Sequence, residues 1–238
     1  MYVSHMRPSQ IQDAVSRNVP VIMAAGVIEY HGPHLPVATD TLIPAGIIAE
    51  VEKQCDCVVC PEISYGATLT WAGGPEDGTM DFDSQTAYAY EKEIFKGLLR
   101  MGFRRIYVLQ FHQGGGEQQL GLMLAARQVI DDITRTWPEG WGRLAPSELP
   151  IPTIFSCIQV LGLDAGRGCP WGIEVGHASK GETQLMQYLH PECVDMDALK
   201  KEPGPLPAWL MDSHLADVEK AKKDVDFCVQ AWIDELRG

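Results

Sequence analysis

Apolar residues fall along this chain in two alternating patterns. Short unbroken blocks, Val21 to Ile28, Cys55 to Cys60, Arg105 to Phe111 and Pro152 to Cys157, have the length expected of strands buried on both faces. Between them apolar positions recur at steps of three and four. Ala87, Tyr90, Ile94, Leu98 and Met101 predict an amphipathic helix opened by Asp83 or Ser84 and ended at Gly102. The same spacing predicts helices over Ser9 to Arg17 and Leu42 to Gln54, and one carrying Leu120, Met123, Ala126, Ile130 and Ile133 on one side. It also predicts a helix up to Pro191 with Glu182 in its first turn, and a last one from Ser213 to Leu236. Alternating strands and helices make an α/β protein, and 238 residues suffice for one large domain, residues 1–238.

Three long irregular stretches interrupt the alternation, one of them Trp137 to Pro152, with Trp137, Trp141 and several prolines, which suits an excursion or an oligomer contact. Glu62 to Asp83 is rich in Gly and Pro and carries Tyr65 and Trp71; loops longer than about 15 residues in a compact domain are commonly functional, and the aromatic content suits a substrate-side wall. Leu163 to Val175 is glycine-rich and carries Trp171.

Composition narrows the function. A formal charge of -13, a pI near 4.9 and no run of Lys or Arg argue against a nucleic-acid or anionic-membrane partner. No stretch approaches the roughly 18 apolar residues that cross a bilayer, and the first residues lack a signal-peptide layout, so a cytoplasmic location is expected. Seven cysteines, an odd number in a chain of this size, suit reduced thiols better than a disulfide framework. Cys55, Cys57 and Cys60 have no second ligand pair downstream and read as small buried hydrophobes.

Candidate chemistry begins where the first block ends. Glu29, His31, His34 and Asp40 place two carboxylates and two imidazoles just past the carboxyl end of a buried strand, a costly cluster unless a cation compensates it. In extended chain Glu29 and His31 point the same way and are able to share one metal or neighbouring metals. The competing reading is a helix-capping Asp40 with structural histidines. A parallel layout follows the third block, where His112 precedes Gln113 and three glycines. That run has neither dinucleotide spacing nor a P-loop ending, so close backbone passage near ions or substrate suits it better than nucleotide binding.

These residues carry a resemblance to the creatininase (creatinine amidohydrolase) family. Its signature Glu-x-His-Gly-x-His-Leu-Pro followed by Thr-Asp is matched by Glu29, His31, Gly32, His34, Leu35, Pro36, Thr39 and Asp40. Gly78-Thr79, His112 with its glycines, and His177-Ala178 with Glu182-Thr183 resemble three further family segments in the expected order. The resemblance implies a single three-layer α/β/α domain with a mainly parallel sheet, a homo-oligomer, often a hexamer, and two divalent metal ions, zinc, manganese or iron. By the same resemblance Glu29 and His112 hold one ion, His31 and Glu182 the other, and Asp40 bridges. His177, or Glu117, protonates the leaving atom, while His34 orients a ligand or lines the pocket.

The chain departs from the family at Gln110, Phe111 and Gln113 around His112, at Gly114, and at Ser179, Lys180 and Gln184, so its substrate differs from creatinine. C–N hydrolysis of a small cyclic or formyl amide is the first expectation. Ring opening of a cyclic polyol diketone by C–C cleavage is the second, suited by Gln110, Gln113, Glu117, Gln118 and Lys180. A shell kept as a non-catalytic metal-binding or regulatory subunit is the third.

Overall fold

Four strands, β1 (Val21–Ala25), β2 (Val58–Val59), β3 (Ile106–Gln110) and β4 (Ile158–Leu161), form a fully parallel sheet in the order β2-β1-β3-β4. The computed structural model describes residues 1–68, 72–112 and 117–238, with Glu117 described by its backbone alone. Successive side chains of a strand leave opposite faces, and here both sets are apolar. Ile22, Ala24, Tyr107 and Leu109 enter one core; Val21, Met23, Ala25, Ile106 and Val108 enter the other.

Helices close both faces. α2 (Thr39–Glu52), α5 (Lys180–Leu189), α6 (Met196–Lys201) and α7 (Val218–Arg237) supply Ile43, Ile47, Met186, Leu199 and Trp232 to the first core. α1 (Pro8–Ser16), α3 (Ser84–Met101) and α4 (Glu117–Thr134) supply Ala14, Phe95 and Leu122 to the second. The three-layer α/β/α arrangement follows. From β1 the chain runs through α2 to β2 on one side, then through α3 back across β1 to β3 on the other. The strand order therefore reverses between β1 and β3, which opens a crevice at their carboxyl ends.

Several elements sit elsewhere than the sequence pattern predicts. The fourth strand is Ile158–Leu161, not Pro152 to Cys157: Pro152 has no N–H, and Ile154 and Ser156 close tight turns onto Ile151 and Thr153. The exposed side of α4 includes Leu120, Met123 and Leu124, whereas Leu122, Ala125, Val129 and Ile130 are buried. Of the expected stripe, Ala126 and Ile130 are buried and Ile133 packs against the second core, so only its first turn, Leu120 and Met123, faces outward. β1 ends at Ala25 and β2 keeps two paired residues, whereas α2 begins three residues early, at Thr39. α7 starts at Val218, capped by the Asp217 carboxylate, and Ser213–Leu215 is a separate turn. α3 matches its expected bounds, with Asp83 accepting from the Thr86 N–H and Gly102 left-handed at φ 107°. All seven cysteines are free; Cys57 and Cys60 are buried.

Among the described residues, one buried carboxyl outside the candidate ligands has an oxygen without a partner. Glu91 of α3 is 2% exposed, its Oε2 has no hydrogen-bond partner, and burial lifts its pKa to about 8. A carboxyl raised in the folded state contributes stability below its unfolded value and loses it as pH climbs through the folded one. Glu91→Gln is therefore expected to match the parent in thermal unfolding at pH 4 and to exceed it by about 1–3 kcal/mol at pH 8.5.

Candidate metal centre

The chain leaving β1 is pressed against the first turn of α2. A Cβ at Gly26 would stand 2.4 Å from the Asp40 carbonyl carbon and oxygen, so only glycine permits the approach. Pro44 removes the N–H that would ordinarily meet that carbonyl from one turn on. Asp40 and Glu182 each stand in a helix first turn, where the helix dipole favours an anion. Glu182 also accepts the Ala178 N–H at 2.6 Å, so its carboxylate caps the helix and faces the cluster at once. The loop 62–83 contributes at a distance: Thr79 Oγ1 accepts the Tyr30 N–H, and Asp81 Oδ1 accepts both Thr68 donors.

Six side chains from five segments meet here. Glu29, Asp40 and His112 bring ligand-type atoms within 4.8 Å of one another, as do His31, Asp40 and Glu182; Asp40 belongs to both triads. A third group at the same spacing is Glu29, His31 and His177. Asp40 Oδ1 lies 3.3 Å from His31 Nε2 while its Oδ2 lies 2.8 Å from His112 Nδ1, so each oxygen faces a different triad. Glu182 Oε2 is 3.5 Å from His31 Nε2, and Glu29 Oε2 is 3.7 Å from both His112 and His177 Nδ1.

Backbone carbonyls hold the far side of both central imidazoles. His31 Nδ1 donates to the Glu29 carbonyl at 2.9 Å, and His112 Nε2 donates to the Thr68 carbonyl at 3.1 Å. Each ring thus aims its other nitrogen at the carboxylates, the orientation a cation needs. His34, fully inside, contacts Thr183 Oγ1 through Nε2 at 2.9 Å and so steadies the residue next to Glu182.

Burial and mutual charge set the electrostatics of the cluster. Burial raises Glu29 and lifts Glu182 toward 8, against the pull of neighbouring imidazoles. Burial works to lower His31, yet Asp40 and Glu182 outweigh it and raise it to about 10. Burial likewise opposes ionisation of Asp40, but His31 and His112 hold it down near 2. His31 thus retains a proton where a cation would serve. Burial and the nearby His31 push His177 and His34 down to about 4, leaving both neutral at pH 7.

Of the other residues the sequence singled out, Tyr65 is half exposed and stacks on Phe82 at 5.6 Å, away from these contacts. Trp171 turns from the crevice: its indole donates to Asp224 at 2.8 Å, packs on Phe227, and lies beneath Lys223. Trp71, Gln113 and the side chain of Glu117 lie outside the described residues. Gln110 and Gln118 are buried and bonded to each other, and Lys180 pairs with Glu174.

Sequence reasoning overlooks the aromatic wall that does meet the cluster. Trp209 packs on His177 at 5.0 Å between ring centres and meets Tyr30 edge-on at 6.0 Å, while His177 lies 4.4 Å from His31. Tyr30 stands inside the first signature; Trp209 belongs to an irregular Pro-rich stretch with no periodicity to mark it. Removing the ring lets the imidazole swing, and about 1 Å of misplacement costs about 100-fold. Trp209→Ala is expected to lower kcat 10- to 100-fold with a smaller change in KM, and Trp209→Phe to recover most of it, by steady-state kinetics.

Known proteins resemble this chain in sequence and in fold. The family model described as creatininase, creatinine amidohydrolase, matches residues 4–236. The chain is 26% identical to creatinine amidohydrolase of Pseudomonas putida over 91% of its length and 88% of that protein. It is 38% identical to a mycofactocin precursor peptide peptidase of Mycolicibacterium smegmatis over 29% of the chain and 32% of that protein. It is 26% identical to a 3-dehydro-scyllo-inosose hydrolase of Thermotoga maritima over 47% of the chain and 36% of that protein. Among solved structures, a mutant creatininase complexed with creatine superposes at a TM-score of 0.77 with 20% identity, covering 99% of this chain and 97% of that one. Creatininase with manganese follows at 0.75, 20% identity and the same coverage, and a mutant of Zn-Zn type at 0.75, 21% identity, 99% of this chain and 96% of that one. With the family model spanning almost every residue over a matching fold, the chain belongs to the creatininase family and is a hydrolase of that family.

Proposed function

We propose that this chain uses two divalent metal ions to hydrolyse the C–N bond of a small cyclic or formyl amide. Glu29, Asp40 and His112 would hold one ion, His31, Asp40 and Glu182 the other, with Asp40 common to both. The observation that carries the reading is that pair of buried triads sharing one aspartate. The donor set suits zinc, manganese or iron. The fit is supported by Glu29 Oε2 and His31 Nε2, which are buried within the cluster without hydrogen-bond partners, and by the manganese and Zn-Zn creatininases of the same fold.

When bound, such ions supply Lewis acidity toward a carbonyl and a hydroxide equivalent near neutral pH. The chain's own groups do the rest. His177, neutral at pH 7 with its Nε2 buried and unpartnered, accepts the proton released by the attacking water and returns it to the leaving nitrogen. Trp209 and Tyr30 hold that imidazole and exclude bulk water from one side. The carbonyls of Glu29 and Thr68 keep His31 and His112 from turning.

Two named relatives, an amidohydrolase and a peptidase, act on C–N bonds, which supports the choice of bond. Likeness to the inosose hydrolase supports ring-opening C–C cleavage as a second reading. Against it, Gln110, Gln118 and Lys180 already have internal partners. A homo-oligomer, with a hexamer as the family's precedent, is supported by the exposed apolar side chains Leu120, Met123 and Leu124 on α4. The test is metal analysis of the purified protein with a panel of lactams, formamides and cyclic diketo-polyols. Two ions per chain with release of amine, ammonia or formate are expected; polyol turnover without any of these products overturns the C–N reading.

A further inference from the structure

We propose that the substrate carries an uncharged apolar group, the size of a branched or aromatic side chain, that lodges in the cavity beside His112. This deepens the hydrolase reading above and rests on it. The cavity measures about 360 Å³ and lies at the carboxyl ends of β3 and β4, with His112 in its wall. It falls within the usual size of small-ligand pockets. Phe111 and Leu163, both nearly buried, line it from the strands. Ile173 and Val175 line it from the segment that runs into His177, and Val175 is 43% exposed.

The cavity's amide and carboxylate side chains are already engaged, and the Cys169 thiol in the lining is only weakly polar. The Gln110 amide donates to Gln118 and to the His112 carbonyl. Both carboxylate oxygens of Asp164 accept backbone N–H groups of its own turn, from Gly166 and Gly168. Among the described residues no lysine or arginine lines the cavity. A charged or polyhydroxylated group would thus lose its water without replacement partners, whereas an apolar one gains by leaving water. The reacting carbonyl then lies toward His112, and the apolar group points outward between Leu163 and Val175.

Two hydroxamates test this without knowledge of the natural substrate. Acetohydroxamate and 4-methylpentanohydroxamate share a metal-chelating head and differ by a branched tail. Each methylene taken from water is worth about a fourfold gain in affinity, so a half-buried tail should tighten Kd at least about 15-fold by calorimetry on the metal-loaded protein. In Val175→Asp, at the exposed rim, and in Ile173→Asp, the ratio of the two Kd values is expected to fall toward one; Ile173→Leu should preserve it. Equal or weaker binding of the branched hydroxamate beside measurable acetohydroxamate binding overturns the apolar cavity alone. Absence of heat with either compound overturns the metal-centre reading beneath it.

Discussion

Asp40→Ala is expected to lower kcat/KM by about three orders of magnitude or more and to leave the purified protein deficient in both ions. Asp40 is the only residue common to both triads built around it, and its two oxygens face different imidazoles. Losing a shared carboxylate forfeits several kcal/mol of charge stabilisation in the transition state, and every 1.36 kcal/mol is tenfold in rate. Asp40→Asn keeps the shape but not the charge and is expected to behave like the alanine variant. Steady-state kinetics and elemental analysis of the same preparations check both; a variant that keeps a tenth of the activity with full metal content would remove Asp40 from the mechanism.

Chelation is expected to abolish activity and to lower the thermal midpoint by about 10 °C at pH 7.5, both restored by zinc or manganese. Ions held at a thousand times their dissociation constants stabilise by about 4 kcal/mol, and each kcal/mol moves the midpoint by about 2–4 °C in a chain of this size. The sign with pH is defined. In the metal-free protein Glu182 is raised to about 8 and His31 to about 10, so each contributes stability that is lost as pH rises through those values. His34 and His177, lowered to about 4, act below pH 6.5 and leave that window clear. The chelated protein should therefore become less stable between pH 6.5 and 8.5, measured by calorimetry, while the metal-loaded protein should change less. Equal slopes for the two forms would show that these carboxylates and imidazoles hold no cation.

The legibility of the sequence follows from distance along the chain. Glu29, His31 and Asp40 lie within twelve residues after an unbroken apolar block, and His112 follows another, so elementary patterning finds them. Glu182 reads equally well as a capping residue, and it does cap; its second partner, His31, stands 151 positions away and emerges only when the sheet brings β1 to α5. Trp209 is silent for the same reason, whereas Trp171, just as conspicuous, is held by Asp224 on α7. In α4 nearly every third and fourth position is apolar on two sides, so periodicity alone cannot choose between Leu120 and Leu122; contact with α3 and β4 chooses. The strand block at Pro152 misleads because apolar content there serves tight turns, with the paired segment beginning six residues on, at Ile158.

All four strands run the same way, and every candidate ligand lies beyond their carboxyl ends or on a helix that starts there. The opposite rim, where residues 137–152 return from α4 to β4, holds none of the candidate ligands among the described residues. That rim is the natural place for a fused tag, an immobilising tether or a lengthened loop, since anything attached there is set apart from the candidate ligands by the length of the strands.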